Sequence, residues 1–440
     1  MGSVAGLVVG MGAEHDFRGR TLTTVAPLRS TCRPRGTQRE PAAGAVNSKR
    51  QVDRHPDALN SPRTSATRST PEEHLICGVL RGEVVSWPDD ADAGFARRLL
   101  DACAAEGVGA LVHHHARSSP AWHDWPAAVR LPLLRDARMH TALDMLRERE
   151  LIAVLDAFAG ARIDTLLLKG AALAHSHYPE PALRTRCDTD VLIRPEDHDA
   201  ASQLLLQLGY RRPNAVSGTL VSYEECHSKR EGTVDHVIDL HWQISNRQVF
   251  ARALTFDEAY ARAVPVPQLG AAARALCAPH ALLLACMHRA AHLGSEGPAG
   301  NRLVWLYDIH LLANAMTAGE WPDFEAMCGA KAMRRISLDA FICTERAFAT
   351  AFPDEVQASL AAAGAVELSA AYLDPGRRRL LLTNLRALPT WTTRGTLVRE
   401  LLFPPADYLL AKYRARSRWL LPWWYVRRAA EGIWKSSRSP

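Results

Sequence analysis

The chain has 440 residues, 47% of them hydrophobic, which is enough apolar material for two or three structural units and too much for a disordered chain. Its net charge of +6 is uneven: residues 1–70 hold 11 Arg/Lys against 5 Asp/Glu, residues 411–440 hold 8 against 1, and the stretch between holds 34 against 41. A mildly acidic body argues against a long nucleic-acid track, which draws on clustered Lys and Arg to neutralise phosphates.

Residues 1–70 are rich in Arg, Ser, Thr, Pro and Gly without helical or strand period, and read as a disordered basic tail or a miscalled N-terminal extension. The nine cysteines are scattered with no CxxC pair, which points to a reducing cytoplasm rather than to disulfides or a zinc knuckle. No uninterrupted apolar run reaches the roughly 18 residues of a membrane span.

Residues 71–160 carry apolar positions at three- and four-residue spacing and are expected to form a helical N-terminal unit. The triplet His113, His114 and His115 lies in it; adjacent histidines point in different directions on any regular element, so a structural or surface role is expected. Residues 161–265 change character. "IDTLLLKG" reads as a strand running into a glycine, "AALAHSHY" as a helix, "CDTDVLI" as a second strand and "PEDHDAASQLLLQLGY" as an amphipathic helix opened by Pro195. A polar loop with His227 follows, placed to cover a site, and "HVIDLHW" reads as a third strand. Residues 266–440 are helical again and end in a basic, Trp-rich segment. The expected fold class is α+β, a small α/β unit embedded between helical segments.

Asp188 and Asp190 stand one residue apart in an otherwise apolar strand, and residues i and i+2 of a strand face the same side. A buried carboxylate is costly unless a cation or hydrogen-bond donors compensate it, so something positive is expected beside the pair. Asp239 and His241 have the same spacing on what reads as a neighbouring strand. Three carboxylates converging on one face make an oxygen-rich site of the kind Mg²⁺ prefers, with substrate phosphates completing the octahedron. Such a site can hold two divalent ions for displacement at phosphorus.

The ordered run Lys169-Gly170, Tyr178, Arg184, Asp188-Thr189-Asp190, Gly209-Tyr210 and Asp239-Leu240-His241-Trp242 resembles the uncharacterised nucleotidyltransferase family of the DNA polymerase β-like superfamily. The resemblance extends more weakly over residues 72–350. It implies a polymerase β-like core in which Asp188, Asp190 and Asp239 bind Mg²⁺ or Mn²⁺, with Asp239 helping to activate an acceptor hydroxyl. It also implies transfer of a nucleoside monophosphate from an NTP, with release of pyrophosphate. The superfamily's glycine-serine turn is here "LKGAAL", the Lys-Gly form of the narrower family. Gly170 lets the backbone approach an anion at the following helix N-terminus, and Lys169 and Arg184 can neutralise phosphate oxygens or pair with the acidic cluster. His241 reads as a group that orients Asp239 or touches substrate, or as a packed core histidine. The acceptor expected is a small molecule, a sugar or a modified peptide rather than long nucleic acid.

Two other readings compete. His288 and His292, four apart on a helix, could bind zinc with Asp308 and His310 as a metallohydrolase, although "HRAAH" lacks the glutamate of HExxH. Alternatively the α/β unit is catalytically degenerate and serves as a nucleotide-binding or assembly module in a biosynthetic complex. The segment 411–440, with Trp419, Trp423, Trp424, Tyr425 and Trp434 among arginines, suits a peripheral membrane or partner contact, or a final helix that packs its tryptophans onto the bundle.

Overall fold

The structure is a computed structural model, described for residues 70–437 apart from 214, 363–365, 375 and 416. The basic stretch 1–69, Cys32 included, lies outside the described residues; the eight other cysteines are free thiols. The chain opens with helices α1 (Pro71–Leu80), α2 (Phe95–Glu106), α3 (Gly109–Ala116) and α4 (Ala127–Gly160). Thr70 caps α1 by accepting from the amide of Glu73 at 3.1 Å, with Pro71 in the first turn and two glutamates at the positive end of the helix. The three histidines of α3 diverge as expected: His113 packs edge-on against Trp122, His114 lies 3.7 Å from Glu180, and His115 Nε2 is 3.1 Å from the Tyr307 hydroxyl.

Helix α4 runs for 34 residues, about 50 Å at 1.5 Å per residue. Its first turns bury Val129 and Leu133 against the preceding helices, and its last turns bury Leu151, Val154, Leu155 and Phe158 against a sheet. Those four positions form one helical stripe, and each such side chain contributes about 1.5–3 kcal/mol on burial.

The sheet has six strands in the order β3-β4-β2-β1-β6-β5. They are β1 (Leu166–Leu168), β2 (Thr189–Leu192), β3 (Glu224–Glu231), β4 (Val234–His241), β5 (Val264–Pro265) and β6 (Arg274–Ala275), interleaved with α5 (Lys169–Ser176), α6 (His198–Gln207) and α7 (Phe256–Tyr260). Strand β2 runs antiparallel to β1 and parallel to β4, and β1 runs parallel to β6, so the sheet is mixed and the fold is α+β. Two features depart from the sequence expectation. The polar stretch before β4 is strand β3, joined to β4 by a two-residue turn with Gly232 at φ +59°, a conformation that costs glycine little. The sheet is also completed by the short β5 and β6, the latter drawn from beyond residue 265.

Alternation decides which side chains meet which layer. One face turns Leu167, Val191, Ile238 and Leu240 to α4 and α6. The other turns Leu166, Leu168 and Leu192 into the helical core, and because they share that parity, Asp190, Asp239 and His241 face the same way. That helical core is built from α8 (Ala278–Glu296), α9 (Leu303–Ala315), α10 (Trp321–Ala330), α11 (Arg334–Phe348) and α12 (Asp354–Ala361) together with the N-terminal helices. Helix α9 is apolar nearly all round and buries every residue from Leu303 to Ile309, as a central bundle helix must.

The remaining helices are α13 (Arg377–Ala387), α14 (Trp391–Leu402), α15 (Ala406–Lys412) and α16 (Leu421–Ser437). Glu400 of α14 accepts from the amides of Thr219, Leu220 and Val221 and from the Thr219 hydroxyl at 2.8–3.0 Å, which ties these helices to the loop before β3. Among the described residues no helix is long and apolar enough to cross a membrane.

Candidate active site

Strand β1 turns directly into α5 at Lys169, whose φ of +49° lies in the left-handed region that side chains with a Cβ avoid at a cost of roughly 1–3 kcal/mol. Its ammonium lies 2.6 Å from Asp190 Oδ1. The next residue is Gly170, and a Cβ there would stand 3.2–3.3 Å from the Arg184 guanidinium, tighter than ordinary packing.

The parallel register of β2 and β4 sets Asp190 directly beside Asp239, and on the far side of β4 the register sets Cys226 beside Asp239 and Glu224 beside His241. Asp188 precedes β2 on the same face and opens to solvent, whereas Asp190 is buried and Asp239 half-buried. His241 is buried and places Nε2 at 2.9 Å from Asp190 Oδ1, with Nδ1 3.5 Å from Glu224. The histidine therefore orients Asp190, not Asp239.

The electrostatics of the three aspartates diverge. Asp190 is held far below the usual carboxylate range: burial works against its ionisation, but the Lys169 charge and the His241 hydrogen bond outweigh it. Asp239 is pushed up to about 7, first by desolvation and then by the charges of Asp190, Asp188 and Glu224. Asp188 also rises, first through the water displaced by the surrounding walls and then through Asp190. Lys169 is driven up, the carboxylates of Asp190 and Glu224 prevailing over its burial, and the Cys226 thiol is raised by desolvation and by Asp239. Among the described residues Lys169 is the one lysine or arginine bonded to these carboxylates; the Arg184 charge also favours ionised Asp188, and His241, although burial opposes its charge, rises through its hydrogen bond to Asp190, yet Asp239 still stays protonated up to about 7.

The donor set suits a hard divalent cation, because it is mostly carboxylate oxygen and leaves room for phosphate oxygens. Among the described residues, the one group of three His, Cys, Asp or Glu whose ligand atoms come mutually within 4.8 Å is Asp144, Glu148 and His175 on α4 and α5, not the three aspartates. There Arg186 already supplies the positive charge, 2.6 Å from Asp144 and 3.4 Å from His175 Nε2.

Arg184 does not reach this cluster as a free donor. Its Nε and Nη2 bond the two oxygens of Asp308 on α9 at 2.8 and 2.7 Å, Nη1 bonds the Thr185 carbonyl at 2.7 Å, and the Tyr178 hydroxyl donates to Asp308 Oδ1 at 2.7 Å. This arrangement corrects the metallohydrolase reading, because Asp308 is taken up by Arg184 and Tyr178. His288 instead packs edge-on against His292 and Trp305 and His292 lies tilted on Trp305, with ring centroids 4.4–5.0 Å apart, His292 bonds Glu296 at 2.6 Å, and His310 bonds Thr350 at 2.8 Å. The loop expectation for His227 is also overturned: it is fully buried on β3, with Nε2 3.2 Å from the Ser202 hydroxyl of α6, on the sheet face opposite Asp239.

His288 is a neighbour of the site, in keeping with the resemblance, which implies that the histidines of α8 pack against the α/β unit or its substrate. It lines, with Lys169, His177, Arg184 and Asp308, a cavity of about 30 Å³, and burial and the nearby positive charges keep it neutral. Glu224 and Cys226 were missed by the sequence reading. Their signal was the alternation of 224, 226 and 228, hidden because all three residues are polar or small.

The sequence profile of the uncharacterised nucleotidyltransferase family matches residues 94–349. The chain belongs to that family. The match spans the sheet with all three aspartates and the helices α8 and α9 that face it, and it supports nucleotidyl transfer as the general chemistry. Neither a curated protein nor a solved structure matches the chain.

Proposed function

We propose that the sheet and its flanking helices form a polymerase β-like catalytic core that transfers a nucleoside monophosphate from an NTP to an acceptor hydroxyl or phosphate. The observation that carries the reading is the register of Asp190 beside Asp239 on adjacent parallel strands, with Asp188 on the same face and too little positive charge among them. In this reading the three aspartates hold Mg²⁺ or Mn²⁺, which supplies charge neutralisation to the triphosphate. The acceptor oxygen bonds to the α-phosphorus, the bond to the bridging oxygen breaks, and pyrophosphate leaves. Asp239 takes the hydroxyl proton as general base.

Lys169 gives up Asp190 for a phosphate oxygen, and the amides that follow Gly170 receive further oxygens at the N-terminus of α5. Arg184 acts through the turn beneath Gly170, since its own donors are occupied, and His241 holds Asp190 in place. The acidic body favours a small molecule, a sugar or a modified peptide as acceptor over long nucleic acid.

The Lys169–Asp190 ion pair favours a second reading, a degenerate module in which the lysine permanently replaces the metal. One assay separates the two. The protein is incubated with each α-labelled NTP, Mg²⁺ or Mn²⁺ and a cell extract, and nucleotide binding is measured in parallel. Label in a product, lost in an Asp188→Asn/Asp190→Asn variant, supports transfer. Metal-dependent nucleotide binding that persists unchanged in that variant defeats it.

A further inference from the structure

The C-terminal helices carry a charge and a surface that the catalytic reading does not use. Residues 377–440 hold 14 Arg/Lys against 3 Asp/Glu, a local excess of +11 in a chain whose total is +6. Within them α16 is turned inside out for a packed helix. Its buried side includes Arg428, which donates to the Leu401 carbonyl at 2.6 Å, while Trp423, Val426 and Ala430 follow one another at three- and four-residue spacing on the exposed side. Trp423 is 60% exposed and Val426 61%, and in the turn just before the helix Trp419 is 93% exposed and Leu420 51%. Of the tryptophans whose side chains are described here, only Trp424 finds a partner ring, stacking on Tyr413 at 4.7 Å. The expectation that these tryptophans pack onto the bundle thus fails for Trp419 and Trp423.

We propose that this face docks on an anionic lipid bilayer, lying in the interface rather than spanning it. Charge complementarity selects the occupant. Arg418, in the turn that carries Trp419, and Arg427, next to Val426, are exposed, and neither Arg418, paired with Asp407, nor Arg427, paired with Glu431 and lying over the Tyr413 and Trp424 rings, is buried by its contacts. Indole rings with arginines beside them match the two layers of a membrane interface: the rings enter the headgroup–acyl boundary and the guanidiniums meet lipid phosphates. Juxtaposed basic residues add attraction to acidic lipid that falls off with salt. A second copy of the chain would present the same positive excess and repel. The proposal stands independently of the nucleotidyl-transfer reading.

The test uses the full chain with vesicles of phosphatidylglycerol and phosphatidylcholine, and with phosphatidylcholine alone. Co-sedimentation with the acidic vesicles at low salt, at least 10-fold stronger than with the neutral ones, is expected, with a blue shift of tryptophan emission. Trp419→Ala/Trp423→Ala should lower binding at least 10-fold, and Arg418→Glu/Arg427→Glu should lower it and flatten its salt dependence. Circular dichroism of both variants should match the parent, since all four side chains are at least half exposed. The proposal is overturned by absence of binding to acidic vesicles at low salt or by binding that ignores the tryptophan variant. It is equally overturned if the same face instead forms a dimer in light scattering, or binds RNA but not vesicles.

Discussion

Asp308 and Asp190 are both buried carboxylates with cations at bonding distance, yet their surroundings differ. Asp308 meets a bidentate guanidinium and a tyrosine hydroxyl, so its charge is matched in number and geometry by groups that bond nothing else of like strength. Asp190 meets a single ammonium and a histidine, and that ammonium must also answer Asp188 and Glu224. The first arrangement needs nothing from outside the chain; the second holds a surplus of negative charge that a divalent ion would balance. A satisfied ion pair is structural by its completeness, and an unbalanced cluster is the better candidate for chemistry.

The sharpest break of this contrast is Asp308→Ala. It strands the Arg184 guanidinium in the core and should cost about 3–5 kcal/mol in denaturant unfolding. Metal should not restore it. Asp190→Asn keeps nearly the same shape and should lower any transfer activity by roughly 100-fold, the equivalent of about 3 kcal/mol for one lost electrostatic contact at the reacting centre. Because the folded-state pKa of Asp190 is depressed, its ion pairs stabilise above the unfolded value near 4, and the stability they give is lost as pH falls below it. The Asn variant should therefore melt lower than the parent at pH 7 in chelator.

Asp239 should behave oppositely. Its pKa, pushed up to about 7, means the folded state binds the proton more tightly than the unfolded state, so this group's contribution falls as pH rises from about 4 to about 7. Asp239→Asn should raise stability by on the order of 2 kcal/mol at pH 8 in chelator, with the gain vanishing at pH 4 and shrinking when Mg²⁺ is added. Equal melting of parent and variant at pH 8 would remove the claim that Asp239 is under electrostatic strain. The smallest effect expected is that of Arg184→Lys, which retains charge but not the fork and should cost about 1 kcal/mol by the same unfolding measurement.

Much of the site was legible before any fold was known. The i, i+2 spacing of Asp188 and Asp190 placed them on one side of a strand, and Asp239 with His241 announced a second strand of the same parity. Strand β3 was not legible, because "EECHSKRE" contains no apolar alternation; it is a strand because the adjoining "VDHVIDLH" offers it a hydrogen-bonding edge. The histidines of α8 illustrate the opposite error, since helical spacing brought His288 and His292 together while Asp308, sixteen residues on from His292, was claimed by Arg184 from the other side of the fold.

Local periodicity and residue chemistry, which depend only on neighbours in the chain, determined the helical segments, the strands that carry the aspartates and the demand for positive charge beside them. Which cation answers which carboxylate depends on atoms brought together from residues 169, 184, 190, 241 and 308, and only the packed structure decided it. The same holds for α16: its composition announced an amphipathic end, but only packing of its other side against α15 and the end of α14 fixed which face is left for solvent, because burial belongs to the assembled surface and not to the segment.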